Sequence, residues 1–297
     1  MFPIIPANST AVSGNQEGIF GFGNITPSTA ITNLVSNVGV VGTDVAGVGT
    51  ARNVLGACEY GEDKGIFGFG YGPYPPGNAS MTNLVSNAGV VSTDVAGVGT
   101  ARESITACSY GDDKGIFGFG YVTGPVSMTN LVSNAGVVST DVAGVGTARS
   151  GLEACEYGED KGIFGFGAIS GGGAVGMTNL VSNAGVVATD VTAVGTARSG
   201  LAACSYGDDK GIFGSTGSVA YTNLVSNAGV VATDVAGVGT ARGGLAATQY
   251  GGDKGIFGYG SGPTTAITNL VSNVGVVGTD VAGVGTARYS IAACSFN

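Results

Sequence analysis

Gly-Ile-Phe-Gly at residues 162–165 is one of six copies of the same short sequence in this chain. The copies start at Gly18, Gly65, Gly115, Gly162, Gly211 and Gly255. Two longer segments also occur six times: Thr-Asn-Leu-Val-Ser-Asn, first at residues 32–37, and Gly-Thr-Ala-Arg, first at residues 49–52. The repeat length of about 44–50 residues is typical of a four-stranded propeller blade and also of a solenoid of paired helices.

The residue types inside each repeat favour strands over helices. Each repeat holds about nine glycines, and a glycine in a helix costs about 1 kcal/mol relative to alanine. Val, Ile, Phe and Tyr dominate the apolar positions, as strands prefer. In the repeat that begins after Arg149, we predict strands at residues 150–157, 161–167, 177–182 and 186–191, joined by turns that contain Asn, Asp or Gly.

The two ends of the repeat region each supply part of one repeat. Residues 17–23 match the second strand of a repeat, and residues 288–296 match a first strand. We therefore predict an all-β fold, a closed six-bladed β-propeller with four-stranded blades that is closed by pairing the C-terminal strand with the N-terminal strands. Such closure removes exposed sheet edges. The propeller would span residues 17–297, with its last blade made from 17–50 plus 288–297, and residues 1–16 would form an N-terminal arm.

The composition limits the classes of partner. The net charge of −9 argues against nucleic acid, because phosphate binding requires clustered Lys and Arg. No run of about 18 apolar residues occurs, so we expect no membrane span. The five cysteines occupy one repeat position, and we interpret them as free, buried, small apolar residues. They are Cys58, Cys108, Cys155, Cys204 and Cys294.

The repeat resembles the kelch repeat. The likeness lies in Arg198 ahead of the predicted innermost strand, in Tyr206-Gly207, and in the segment 210–214. Kelch units have a glycine doublet where this chain has Gly-aromatic-Gly, as at 165–167, and the Trp of kelch repeats is missing throughout. The resemblance implies a propeller, and it covers the repeats themselves.

The unit Tyr-Gly-x-Asp-Lys-x-Ile-Phe-Gly-Phe-Gly with Thr-Asn-Leu-Val-Ser-Asn also resembles repeats in structural proteins of tailed phages from aquatic bacteria. That resemblance implies a virion component (a tail, fibre or head-decorating protein) that is assembled in the host cytoplasm and contacts other virion proteins or the host surface. A carbohydrate-binding, lectin-like propeller with a glycan partner and an intracellular interaction scaffold of kelch type are the alternatives.

We predict no catalytic residue, no metal site and no cofactor. The chain has no His and no Trp, whereas kelch-type copper oxidases need imidazole ligands and the sialidase Asp-box ends in Trp. An active site needs different residues in different roles, and the six repeats carry almost the same residues. The acidic turns, such as Glu159-Asp160, lack the spacing of a calcium loop, and we interpret them as solvated turns.

Six arginines precede the predicted innermost strands and form the first candidate binding set. They are Arg52, Arg102, Arg149, Arg198, Arg242 and Arg288. We favour a structural role in which each arginine pairs with an aspartate of a neighbouring blade, because Arg suits buried planar pairing. The candidate partners are Asp44, Asp94, Asp141, Asp190, Asp234 and Asp280. An anion site at the mouth of the central channel is the functional alternative.

The loops between the second and third predicted strands vary in sequence and length, and variable loops on a rigid scaffold often carry recognition. They share the face of the arginines, and their candidate contact residues are Tyr71, Tyr74, Pro75 and Tyr121. The candidate anchor residues of the N-terminal arm are Phe2, Ile4 and Ile5, which would dock onto another subunit. The alternatives are that the loop sequences vary because surface loops tolerate change, and that the N-terminal arm is a disordered tail.

Overall fold

The computed structural model describes residues 16–73 and 76–296, and all of their regular secondary structure is β. Six antiparallel sheets of three strands account for the repeats, and each sheet has an inner, a middle and an outer strand. The inner strands are β3 (Gly56–Tyr60), β8 (Thr106–Tyr110), β11 (Glu153–Tyr157), β14 (Ala202–Tyr206), β17 (Ala246–Tyr250) and β20 (Ala292–Phe296). The middle strands are β1 (Glu17–Gly21), β4 (Lys64–Gly68), β9 (Lys114–Gly118), β12 (Lys161–Gly165), β15 (Lys210–Gly214) and β18 (Lys254–Gly258).

The outer strands all have the sequence Thr-Asn-Leu-Val. They are β2 (Thr32–Val35), β7 (Thr82–Val85), β10 (Thr129–Val132), β13 (Thr178–Val181), β16 (Thr222–Val225) and β19 (Thr268–Val271). A seventh, two-stranded ribbon pairs β5 (Tyr71–Pro73) with β6 (Pro76–Asn78) in one variable loop. No helix in the described part of the chain is long and apolar enough to cross a membrane.

The predicted closed six-bladed propeller with four-stranded blades is wrong, although the all-β class is correct. The structure has six separate three-stranded sheets and the ribbon, and none of these sheets closes on itself. The segment predicted as a fourth strand makes only two isolated bridges in its repeat, Val181 with Val187 and Thr178 with Val191.

A side chain explains why the fourth strand is missing. Asn179 Nδ2 donates to the carbonyl oxygen of Ala188 (3.0 Å) and to Asp190 Oδ1 (2.9 Å), in the middle of that segment. The side-chain amide therefore occupies the place where a backbone ladder would continue. The same contacts recur in every repeat, so the interruption belongs to the repeat.

Neighbouring sheets contact each other through their inner strands. The contacts follow the order β3, β8, β11, β14, β17, β20 and back to β3. The sheet formed by β2, β1 and β20 joins the two ends of the described chain, with Glu17 opposite Phe296.

The apolar core lies between the sheets. One cluster joins Ile66 and Phe69 of one sheet to Ile105 and Phe117 of the next, and each of the six clusters spans two sheets in this way. Phe69 and Phe117 meet with ring centroids 5.2 Å apart, a tilted geometry that aromatic pairs favour. Side-chain packing rather than backbone hydrogen bonding therefore holds the inner strands of neighbouring sheets together.

Candidate functional site

The six predicted site arginines are buried, with 0–4% of each residue exposed. Arg52 shows the usual arrangement: Nε donates to the carbonyl oxygen of Phe69 (2.8 Å), Nη1 to that of Thr50 (3.1 Å) and Nη2 to Asn83 Oδ1 (2.6 Å). Phe69 has a left-handed backbone (φ 62°), so the arginine binds the carbonyl of a residue in a costly conformation. Burial lowers the pKa of Arg52 to about 10, which leaves it charged at neutral pH.

Five of the six arginines also contact the preceding sheet. The guanidinium of Arg52 lies over the ring of Phe22, in the preceding sheet, at 4.4 Å from the centroid. Four other arginines stack in the same way, namely Arg102, Arg149, Arg198 and Arg288. These contacts give the arginines a structural role and leave their guanidinium groups buried.

The aspartate near each arginine belongs to the same repeat unit rather than to a neighbouring one. Asp94 lies 3.8 Å from Arg52 and accepts hydrogen bonds from Thr50 Oγ1 (2.6 Å) and Asn83 Nδ2 (2.9 Å). Burial opposes the ionisation of Asp94, but the hydrogen bonds from Thr50 and Asn83 outweigh it and hold its pKa below the usual value. The Asp94 carboxylate therefore fixes the segment that leads into the inner strand.

Two of the predicted loop-contact residues, Tyr71 and Tyr121, lie within the described part of the chain, in the loops of two successive repeats. Tyr71 bridges to Asn53, Tyr121 bridges to Glu103, and Asn78 Nδ2 donates to the carbonyl oxygen of Tyr121 (3.2 Å). Tyr121 is 36% exposed and Tyr71 is half-buried. The other loop candidates, Tyr74 and Pro75, and the arm candidates Phe2, Ile4 and Ile5 lie outside the described residues.

A central cavity of about 60 Å³ lies among the inner strands, and the sequence analysis did not identify it. The residue that follows the cysteine position alternates around it between long and short polar side chains. In strand order these are Glu59, Ser109, Glu156, Ser205, Gln249 and Ser295. In the sequence, this position departs from the repeat. The prediction that the chain has no active site had treated all six repeats as alike.

Two carboxyl groups of this cavity form a coupled pair. Ser295 Oγ donates to Glu59 Oε2 (2.8 Å), and Ser109 Oγ donates to Glu156 Oε2 (2.6 Å). Burial raises the pKa of both glutamates, and the charge of Glu59 raises that of Glu156 further. Of the two, Glu156 is therefore the one that holds the proton, and its protonated carboxyl group donates a hydrogen bond to Glu59, an arrangement that two close carboxyl groups adopt.

The size of the cavity limits what the carboxyl pair can do. A cavity of about 60 Å³ has room for only a few water molecules, because each water molecule needs about 10–15 Å³ of cavity volume. Ligand pockets are several times larger, at roughly 300–1,000 Å³. Among residues 16–73 and 76–296, no group of three or more potential metal ligands occurs.

Glu153 lies at the opposite end of the inner strands. It lines a second cavity of about 30 Å³ and accepts a hydrogen bond from Thr106 Oγ1 (3.1 Å). Burial raises its pKa to about 8. Its carboxyl group thus binds a proton in the folded chain at a pH where the unfolded chain has released it.

Replacing Glu153 by glutamine should therefore stabilise the protein in a pH-dependent way. The folded state binds the extra proton, so the stability contributed by Glu153 is full below a pH of about 4.5 and falls as the pH rises towards 8. Urea unfolding should show E153Q within about 1 kcal/mol of wild type at a pH of about 5, and about 2–4 kcal/mol more stable at a pH of about 8.5. An equal difference at both pH values would contradict the raised pKa.

No model of a protein family matches the chain, and no curated protein matches it.

Proposed function

We propose that this chain is a structural protein of a phage particle, in a tail, a fibre or a head decoration, where it mediates protein–protein or host-surface contact. The proposal makes it a non-catalytic binding module. The resemblance of its repeats to phage structural proteins supports a place in a phage particle. The surface of the folded chain supports a role in protein–protein or host-surface contact.

The observation that carries the proposal is a set of exposed valines that recurs in all six repeats. Six of them, in the turns after the outer strands, are 62–65% exposed. They are Val40, Val90, Val137, Val186, Val230 and Val276. Isolated apolar residues on a surface are ordinary, but this set supports a contact surface because it recurs at the same position of all six repeats.

Mass spectrometry of purified particles tests the proposal. Particles released from cells that produce the chain should contain it in many copies each, at a constant ratio to the major particle protein through successive purification steps. A host protein of similar abundance in the lysate serves as the control, and its ratio should fall at each step. If the chain is abundant in cells but falls with that host protein, the virion proposal is wrong.

A further inference from the structure

The positive charges of the chain are all matched by neighbouring aspartates, which leaves an excess of acidic residues. Each of the eleven basic residues lies beside an aspartate: the five lysines contact the aspartate that precedes them, and the six arginines face those described above. The net charge of −9 therefore comes from the remaining acidic residues. Four of these are exposed in the turns between inner and middle strands, namely Glu62, Asp112, Glu159 and Asp208.

The exposed acids and the exposed valines share one face. Inner strands end, and middle strands begin, at these acidic turns, as Tyr60 opposite Lys64 shows. The outer strands end at the same level, because Val85 is opposite Gly65. The turns that follow the outer strands, and with them the exposed valines, therefore lie at this end of every sheet.

The two kinds of turn interlock around the face. A Cβ on Gly61 would lie 2.8 Å from the carbonyl oxygen of Asn134, and one on Gly136 would lie 2.9 Å from the ring of Tyr60. The turn that carries Val137 thus packs against the acidic turn of the preceding sheet. The same contact recurs between other neighbouring sheets, so the four exposed acids lie beside exposed valines on what we call the acid–valine face.

We infer that the acid–valine face docks onto a protein surface that carries apolar side chains flanked by lysine or arginine. The inference rests on the proposed function and names the chemistry of the partner. Valines at this exposure gain from burial, and the interspersed carboxylates select a partner of opposite charge and steer its approach. A second copy of the same face would bring like charges together, and an anionic lipid surface or a nucleic acid would be repelled in the same way.

One repeat of the chain shows which substitution can test the role of the exposed acids in docking. Gly252 stands where the other complete turns have an exposed acid, and its φ of 81° matches the left-handed backbone of Glu62, with φ of 68°. Glycine adopts this conformation without a Cβ penalty, so replacing the acids by glycine should leave the fold intact. The acid variant is Glu62→Gly, Asp112→Gly, Glu159→Gly and Asp208→Gly combined.

The repeats also supply an apolar variant and its control. Val38 and Val274 are both 70% exposed on this face, where the other repeats have alanine. The variant Val38→Ala with Val274→Ala copies those repeats. Val95 and Val142, both 44% exposed, lie at the opposite end of the sheets, and changing them to alanine gives the matched control.

Fluorescence anisotropy with a labelled helical peptide of about 18 leucine and lysine residues measures the docking. We expect binding that weakens steeply with salt, at least about tenfold weaker binding by the acid variant, and about twofold to fivefold weaker binding by the V38A/V274A variant. The opposite-face control should bind within about twofold of wild type. A peptide in which serine replaces every leucine should bind more weakly than the original.

Each result bears on the inference. Equal binding by wild type and the acid variant would overturn it, as would loss of binding in the opposite-face control. Sedimentation of the chain alone as a salt-dependent dimer that the acid variant abolishes would also overturn it, in favour of a second copy. The mass spectrometry of particles tests the proposed function separately. The chain can be present in particles although the peptide does not bind the acid–valine face, and the peptide can bind this face although the chain is absent from particles.

Discussion

Replacing Arg102 by methionine is expected to lower the free energy of unfolding by about 3–5 kcal/mol, because one partner of a buried polar network is removed. Arg102 donates from Nε to the carbonyl oxygen of Phe119 (2.8 Å), from Nη1 to that of Thr100 (3.1 Å) and from Nη2 to Asn130 Oδ1 (2.6 Å). Its guanidinium also lies 4.4 Å from the ring centroid of Phe69. Methionine fills part of the space but leaves the buried oxygens without their donors.

Urea denaturation followed by tyrosine fluorescence measures this loss, since the chain has no tryptophan. Lys114→Met is the matched control, because it also removes one positive charge beside an aspartate, but at the surface. It should cost about 0–1 kcal/mol. If R102M and K114M unfold at the same urea concentration, the buried arginines do not stabilise the fold as we describe.

Replacing Gly115 by alanine is expected to lower the free energy of unfolding by about 1–3 kcal/mol through overpacking. A Cβ at this position would lie 2.5 Å from the Sγ of Cys58, which belongs to the neighbouring inner strand. The cysteine sulfur fills the space that a side chain on the middle strand would need. The structure therefore couples these two positions across the sheet boundary.

A double-mutant cycle with Cys58→Ala tests this coupling. Removing the sulfur should relieve the clash, so the double variant should be more stable than the sum of the single changes predicts, by about 1–2 kcal/mol. Gly124→Ala is the control: its Cβ would meet nothing within 4 Å, and its stability should equal that of wild type. Additive effects of G115A and C58A would show that the two sites do not contact as described.

The repeats made much of the secondary structure predictable. Strands predicted at 161–167 and 177–182 are observed at Lys161–Gly165 and Thr178–Val181, because alternating turn residues and apolar runs mark them. The fourth strand failed because a local pattern does not show that Asn179 takes the backbone partners of that segment. That error also concealed the exposed valines, which a regular outer strand would have placed within a sheet.

The central carboxyl pair could not be deduced from one repeat. Glu59 and Glu156 meet only because their inner strands flank that of Ser109, and this depends on how the sheets are arranged in space. The sequence showed that this position differs between repeats, and the structure shows that the differing side chains face one another. Departures from a repeat are therefore the residues to inspect first in a chain of this kind.

The pairing of β1 with β20 has a consequence for synthesis on the ribosome. Five sheets are built from segments close together in the sequence, but the sheet of β2, β1 and β20 needs residues at positions 17 and 296. Its two early strands must wait, with an unpaired edge, while about 260 further residues are translated, and contacts of such long separation form slowly. We expect the nascent chain to expose that edge until translation of the last strand, which makes this stage the one most dependent on chaperones.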